Sequence, residues 1–123
     1  MRWRMIKIRR VYEEKPAEER YSVFVDRLWP RGLSKAKINW DDWVKEISPS
    51  PELRKWFHQD VGRWNEFKLH YTNELSLKKD ELKKLKYLES RYGILTLVCA
   101  SSDREHNHAL VIKEVLEKNW SEN

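Results

Sequence analysis

Three short apolar runs in the chain have the length and composition of β-strands. Residues 5–12 alternate apolar side chains with basic ones, although imperfectly. Residues 21–25 are rich in β-branched and aromatic side chains, which favour strands. Residues 94–100 are almost entirely apolar and follow Gly93, a pattern typical of a strand buried on both faces of a parallel sheet.

The segment between the second and third runs has the periodicity of helices. Four residues at positions i, i+3, i+4 and i+7 predict a first short helix, with Trp40, Trp43, Val44 and Ile47 on one face. Ser50 followed by Pro51 predicts the start of the next helix. Stripes at the same spacing predict three helices, whose inward residues are Leu53, Trp56 and Phe57, then Trp64, Phe67, Tyr71 and Leu75, and then Leu82, Leu85 and Leu88.

A last helix is predicted after the third strand. Ser102 and Glu105 have the spacing of a capping box, so we expect this helix to begin near Asp103 and to end near Trp120. Its inward residues would be Ala109, Ile112, Val115 and Leu116.

The order of these elements predicts a small α/β fold. We expect residues 1–123 to form a single domain, with a short, mostly parallel sheet of about three strands and helices packed on it. No run approaches the roughly 18 apolar residues of a membrane span, and the first residues lack the apolar run of a signal peptide. We therefore expect a cytoplasmic protein without a membrane partner.

The net charge of +5 comes from one basic strip at the start of the chain. Residues 1–12 contain no acid and five basic residues, whereas the rest of the chain carries 20 basic and 20 acidic side chains. The strip consists of Arg2, Arg4, Lys7, Arg9 and Arg10. Such a strand is usually a solvated sheet edge, where charge prevents strand-to-strand aggregation. The abundance of Lys and Glu, with a single Gln, resembles the composition of proteins from hot environments.

Metal and cofactor chemistry have little support in the residue pattern. The single cysteine, Cys99, excludes a disulfide framework and a cysteine-based zinc site, and it is typical of a small buried hydrophobe. His106 and His108 are two residues apart, which turns them to different faces of a helix, so no metal site is expected. His58 and His70 are interpreted as surface or packing residues. No P-loop or Gly-rich dinucleotide motif occurs, so no cofactor is predicted.

Polar residues follow two of the predicted strands, at the edge of a parallel sheet where ligands usually bind. The first segment, residues 26–32, is Asp-Arg-Leu-Trp-Pro-Arg-Gly, and the second, residues 101–108, is Ser-Ser-Asp-Arg-Glu-His-Asn-His. Arg27 and Arg31 offer planar donors for phosphate or carboxylate, and the start of the last helix would add backbone amides. These features predict a site for a small anionic, phosphate-bearing ligand.

The predicted site also contains a group that exchanges protons near neutral pH. His108 is the candidate acid or base. Asp26 or Asp103 would position its ring, and Asn107 would orient the ligand. The residues do not identify a reaction.

Two other interpretations fit the same residues. In the first, the motif residues are purely structural: Asp26 pairs with Arg27, Trp29 and Pro30 pack a corner, and Arg31 binds backbone carbonyls. This interpretation predicts no pocket between the two strand ends. In the second, the basic first strand and the aromatic helices bind nucleic acid or a protein partner, although the helical spacing of the aromatic residues favours the core. The oligomeric state is left open.

Three segments resemble the domain of unknown function 488 family, in its short YeaO-like branch. They are residues 26–32, residues 50–57 (Ser-Pro-Glu-Leu-Arg-Lys-Trp-Phe) and residues 107–109 (Asn-His-Ala), in an order and spacing that match along nearly the whole chain. The resemblance implies a small cytoplasmic α/β protein of bacteria or archaea, and it implies no particular reaction. The family motif corresponds to Asp26, Arg27, Arg31, Asn107 and His108, with Arg54 in the middle segment and Cys99 outside the pattern.

Overall fold

Four parallel strands form the central sheet of the protein, whose computed structural model describes residues 4–119. The strands are β1 (Met5–Arg10), β2 (Tyr21–Phe24), β3 (Asp42–Trp43) and β4 (Ile94–Cys99). Their order across the sheet is β1–β4–β2–β3, so β4 lies between β1 and β2. The predicted α/β class with a short parallel sheet is confirmed, and the sheet has one more strand than the sequence indicated.

Helices account for most of the other regular structure within residues 4–119. The α-helices are α1 (Pro51–Gln59), α2 (Trp64–Ser76), α3 (Lys79–Tyr92) and α4 (His108–Asn119). α3 and α4 pack on the sheet, α2 packs on α4, and α1 packs on α2. None of the helices described is long and apolar enough to cross a membrane. The predicted end of α4 near Trp120 lies outside the described residues.

The core lies between the sheet and these helices. Leu95 and Leu97 of β4 are fully buried, in agreement with the apolar run that predicted this strand. They belong to one apolar cluster with the aromatic residues Phe57, Phe67 and Tyr71, and the rings of Phe57 and Phe67 stack at 4.4 Å. These three helix aromatics are therefore core residues, as their helical spacing favoured.

The segment around Trp43 does not form the short helix that its apolar spacing predicted. β3 and a single 3-10 turn, Lys45–Ile47, replace it. The apolar spacing predicted a helix wrongly, because the four apolar side chains belong to two separate apolar clusters and not to one helix face. Trp40 and Trp43 pack on Phe24, whereas the other two residues join the main core.

The last helix begins at His108 and not near Asp103. Asn107 is its cap, because Asn107 Oδ1 accepts a hydrogen bond from Leu110 N at 3.0 Å. Asp103 closes the preceding turn, where its Oδ1 accepts hydrogen bonds of 3.0 Å from the backbone N–H groups two and three residues later. The predicted capping box is wrong because these local side-chain bonds compete with the helix for the same backbone groups.

The first strand lies at a sheet edge, but its basic side chains have different environments. Arg9 is only 4% exposed, and its guanidinium binds the two carboxylate oxygens of Glu19 at 2.7 and 2.9 Å. Arg10 turns toward the end of β4, where its Nε donates to Ala100 O at 3.3 Å. The predicted solvated strip is therefore interrupted, because an ion pair removes one of its charges from water. Arg2 lies outside the described residues.

Candidate anion-binding site

A cavity opens at the edge of the sheet where the parallel strands end. Its volume is about 810 Å³. Both segments predicted from the sequence contribute to its lining, together with residues at the end of β1 and on α1. A purely structural role for the motif residues predicted no pocket at this position, and the structure contradicts that expectation.

Asp26 and His108 connect the two segments. Asp26 Oδ2 accepts a hydrogen bond from Ala100 N at 3.1 Å, which fixes the loop after β2 to the end of β4. His108 Nε2 lies 3.1 Å from Asp26 Oδ1 and 3.1 Å from Val25 O. Because the Val25 carbonyl oxygen can only accept, this hydrogen bond assigns a proton to Nε2. Asp26 and Asp103 were the two candidates for positioning the His108 ring, and Asp26 is the one that contacts it.

Arg27 lines the cavity and does not pair with Asp26. Its side chain extends toward the segment before α1, where its Nη2 lies 3.5 Å from Ser48 O and 3.4 Å from Pro49 O. Its Nε is buried without a hydrogen-bond partner among residues 4–119. These long or missing contacts leave much of the hydrogen-bonding capacity of the guanidinium unused.

Arg31 also lines the cavity, and its loop is held through the backbone. Tyr12 OH donates to Arg31 O at 2.6 Å. The Arg31 side chain makes no hydrogen bond within the described part of the chain, so it does not bind the carbonyls that a structural role would require. Nearby, Trp29 packs against Trp40 and Trp43 as a corner residue would, while also lining the cavity.

Arg10 reaches the cavity from the end of β1. Its Nε donates to Ala100 O at 3.3 Å, and its guanidinium lies 4.6 Å above the centre of the Tyr12 ring. The terminal nitrogens of this guanidinium have no hydrogen-bond partner among the residues described. Tyr12 thus contacts both Arg10 and the backbone of Arg31, and it links β1 to the loop after β2.

The start of α1 is fixed by hydrogen bonds of Ser50. Its Oγ accepts a hydrogen bond from Leu53 N at 3.2 Å and donates one to Glu74 Oε2 of α2 at 2.6 Å. Ser50 and Pro51 therefore begin the helix as the sequence predicted. Arg54, one turn further on, lines the cavity as a result.

His58 is one helical turn after Arg54 and lines the same cavity. Partial burial lowers the pKa of His58, and the nearby Arg54 guanidinium and His108 ring lower it further. The His58 ring is therefore neutral at pH 7. An anion bound beside it would favour protonation, because opposite charge stabilises the imidazolium.

Asp103 does not line the cavity, and its carboxylate serves the turn before α4. The hydrogen bond from the Glu105 backbone is the main cause that lowers the pKa of Asp103, and His106 contributes as well. Asn107 lines the cavity but uses both amide atoms within the chain, since Nδ2 donates to Asp103 O at 2.8 Å and Oδ1 caps α4. Contact of Asn107 with a ligand stays a prediction.

Positive charge exceeds negative charge around the cavity. Asp26 is the one carboxylate among the described lining residues, and it already contacts Ala100 N and His108. None of the lining arginines has an ion-pair partner within residues 4–119, in contrast to Arg9, which pairs with a buried carboxylate. The lining arginines are Arg10, Arg27, Arg31 and Arg54. Guanidinium groups of this kind suit phosphate, which they bind through two parallel hydrogen bonds.

The described residues include no group of three or more His, Cys, Asp or Glu side chains placed to hold a metal ion. Cys99 is buried at the end of β4, and this burial raises the pKa of its thiol to about 12. A thiol with this pKa is protonated at neutral pH and is not a nucleophile.

The sequence did not assign Arg10 or His58 of the cavity lining to the predicted site, and it gave Arg54 only as part of the middle segment of the family resemblance. The i, i+4 spacing of Arg54 and His58 puts both on one face of α1, so this pair could have been found in the sequence. Arg10 could not, because its position depends on the strand order. Only when β1 is a parallel neighbour of β4 does its last residue reach the same edge as the two predicted segments.

Comparison with known proteins identifies the family of the chain. Residues 5–123 match DUF488-N3i, which is described as the inactive DUF488-N3 subclade. The chain is 40% identical over 111 residues to the uncharacterized protein YeaO of Escherichia coli K12, covering 90% of this chain and 96% of that protein. It is 34% identical over 113 residues to the uncharacterized protein Rv3073c of Mycobacterium tuberculosis H37Rv, covering 90% of this chain and 92% of that protein. No solved structure gives a significant match. The chain therefore belongs to the inactive DUF488-N3 subclade of the domain of unknown function 488 family, in agreement with the three segments of its sequence.

Proposed function

We propose that the chain binds a small, phosphate-bearing organic molecule in the cavity at the carboxyl ends of its strands. The observation that carries this proposal is the set of four lining arginines without carboxylate partners in the described chain. An unneutralised cluster of this kind is costly to assemble unless an anion shares it, because like charges repel. A phosphate group would bring the missing negative charge.

The size and walls of the cavity favour an organic ligand over a free ion. A volume of about 810 Å³ falls within the range of small-molecule sites and exceeds what inorganic phosphate needs. Trp29, Pro30, Phe57 and Phe67 contribute apolar surface to the lining. These walls would bury the uncharged part of the ligand, while the guanidinium groups bind its phosphate.

The family supports binding without turnover. The subclade is described as inactive, and the buried Cys99 thiol is not a nucleophile. All three segments that carry the family resemblance contribute residues to the cavity. If the ligand does react, His108 is the predicted acid or base. A cytoplasmic location, where phosphorylated metabolites are abundant, stays a prediction.

Isothermal titration calorimetry with hexyl phosphate tests the proposal. We expect the protein to bind hexyl phosphate and not 1-hexanol, at constant ionic strength. Because hydrogen bonds to charged groups are strong, Arg27→Gln and Arg54→Gln should each weaken binding by about tenfold or more.

Arg91→Gln is the matched control for these variants, because Arg91 is an exposed arginine of α3 outside the cavity. It should bind like the unmodified protein. Equal affinity for hexyl phosphate and hexanol, or hexyl phosphate binding that is unchanged in Arg27→Gln, in Arg54→Gln and also in Arg31→Gln, would contradict the proposal. Arg54→Gln keeps the test valid if Arg27→Gln unfolds, since the Arg54 side chain makes no hydrogen bond among the described residues.

A further inference from the structure

The four arginines of the cavity fall into two pairs, and one pair lies beside α1. Arg27 approaches the carbonyl oxygens of Ser48 and Pro49, which directly precede the N-cap of α1. Arg54 is in the first turn and a half of the same helix and lines the cavity. Arg27 and Arg54 are hereafter the α1 arginine pair.

The other pair lies at the end of β1. The Arg10 guanidinium stacks on the ring of Tyr12, and Tyr12 OH binds the backbone of Arg31. One aromatic side chain therefore ties the Arg10 guanidinium and the Arg31 backbone to the same side of the cavity. Arg10 and Arg31 are hereafter the β1 arginine pair.

The strand order separates the strand ends from which Arg10 and Arg27 extend. β1 and β2 are both neighbours of β4, so their ends are two strand spacings apart, on the order of 10 Å. Arg27 leaves the end of β2 toward the segment that follows β3, whereas Arg10 is held beside Ala100 at the end of β4. The two guanidinium groups therefore extend toward different ends of this edge, which favours two separate phosphate positions over a shared one.

A carboxylate lies between the two pairs. Asp26 follows β2, and its Oδ2 accepts a hydrogen bond from Ala100 N, which follows β4. Its negative charge repels an anionic group at the centre of the cavity and does not prevent one at either end. The arrangement of charge is therefore positive, negative, positive along the edge of the sheet.

We propose that the ligand of this cavity carries a phosphate group at each end, about 10 Å apart, one bound by the α1 arginine pair and the other by the β1 arginine pair. This inference rests on the proposed function and names its ligand class: a small bisphosphorylated molecule with an uncharged middle. The uncharged middle lies over Asp26 and avoids repulsion by its carboxylate.

Three synthetic probes test the spacing by calorimetry: hexyl phosphate, hexane-1,6-diol bisphosphate and ethane-1,2-diol bisphosphate. The hexanediol compound has a linker long enough to reach both pairs, and the ethanediol compound does not. We expect hexanediol bisphosphate to bind at least tenfold more tightly than either of the others.

Two variants test which arginines hold which phosphate. Neither Arg31 nor Arg54 makes a side-chain hydrogen bond in the described chain, so Arg31→Gln and Arg54→Gln should keep the fold. Each variant should weaken the binding of hexanediol bisphosphate roughly tenfold. The double variant should weaken it roughly a hundredfold, because the effects of substitutions at distant sites add in free energy. Strong non-additivity would mean that both arginines bind one phosphate, and it would overturn the inference.

The outcomes separate this inference from the proposed function. If hexyl phosphate and hexanediol bisphosphate bind equally well, the proposed function stands and the two-phosphate ligand is wrong. If neither compound binds, the proposed function itself fails. Tighter binding of an eight-residue oligothymidylate than of hexanediol bisphosphate would also overturn the inference, since it would assign the arginines to a nucleic-acid backbone.

Discussion

At the scale of single residues, the environment of an arginine decides what it does. Arg9 is buried and bound by both oxygens of Glu19, so its charge is already balanced and it fastens β1 to the following loop. Arg27 has two long contacts with carbonyl oxygens, and its Nε is buried without a partner among the described residues. Arg9 Nη1 is likewise buried without a partner among the described residues, so the carboxylate partner is what distinguishes the two arginines. An arginine of the first kind belongs to the fold, because removing either partner would leave a buried charge unpaired. One of the second kind is available to a ligand.

His58 gives the protein a pH dependence of stability. Its pKa in the folded protein is lowered from the usual 6.5, mainly by burial, so the unfolded chain takes up a proton first as the pH falls. The free energy of unfolding should therefore decrease below pH 6.5, and this decrease should be complete once the pH is below the folded pKa of His58. Urea denaturation of the protein and of His58→Gln between pH 5 and about 8 measures this effect. The variant should lose less stability toward acid; parallel curves would contradict the assignment.

Cys99 should be chemically silent in the folded protein. Burial raises its thiol pKa from 9.0 to about 12, which lowers the thiolate fraction at pH 8 by roughly a thousandfold. Alkylation by iodoacetamide should therefore be at least that much slower in the native protein than in urea. Because Cys99 is the single cysteine, mass spectrometry gives the rate directly. Comparable alkylation rates in the two conditions would show that the Cys99 thiolate is accessible. Cys99 would then be a candidate nucleophile.

At the scale of elements, long apolar patterns predicted the structure well. Elements that are very short, or whose ends depend on local side-chain hydrogen bonds, were missed or misplaced. The apolar run of β4 and the stripes of α1, α2 and α3 were confirmed, because each pattern is sustained over six or more residues. β3 was missed since two residues carry no period. The start of α4 was misplaced because Asp103 binds the turn, and Asn107 takes the cap.

The predicted site residues likewise fall into two groups: those that the parallel sheet brings to the cavity, and Asp103, which a local turn keeps out of it. Asp26, Arg27, Arg31 and His108 come together because the first three lie in the loop after β2 and His108 begins the helix that follows β4. Asp103 is in the second segment too, but its turn directs it away from the cavity. Arg10 was absent from the predicted site because the sequence does not determine which strands are neighbours.

The start of α1 links stability to the site. Ser50→Ala removes the cap on Leu53 N and the hydrogen bond to Glu74, so it should lower the free energy of unfolding by about 2 kcal/mol. Ser76→Ala, in an exposed position near the end of α2, should change it by less than about 0.5 kcal/mol. Urea denaturation measures both. Similar values for the two variants would mean that Ser50 does not fix the helix that carries Arg54.

At the scale of the whole molecule, the parallel order of the strands creates the site. All four strands end at the same edge, so the loops after β1, β2 and β4 converge there although they are far apart in the sequence. Hydrogen bonds across this edge, from Ala100 N to Asp26 and from Tyr12 to Arg31 O, hold the loops together around the cavity. The basic strip at the start of the chain contributes one of its members, Arg10, to this edge. The charge that distinguishes the sequence is therefore partly the charge of the site.

The most direct test of the central claim is a crystal structure of the protein soaked in tungstate, an oxyanion that mimics phosphate and scatters anomalously. We expect an anomalous peak inside the cavity, within hydrogen-bonding distance of Arg27 and Arg54 or of Arg10 and Arg31, and we expect excess phosphate to remove this peak. A cavity without a peak, in crystals whose exposed lysines do bind tungstate, would contradict the claim that these arginines form an anion site.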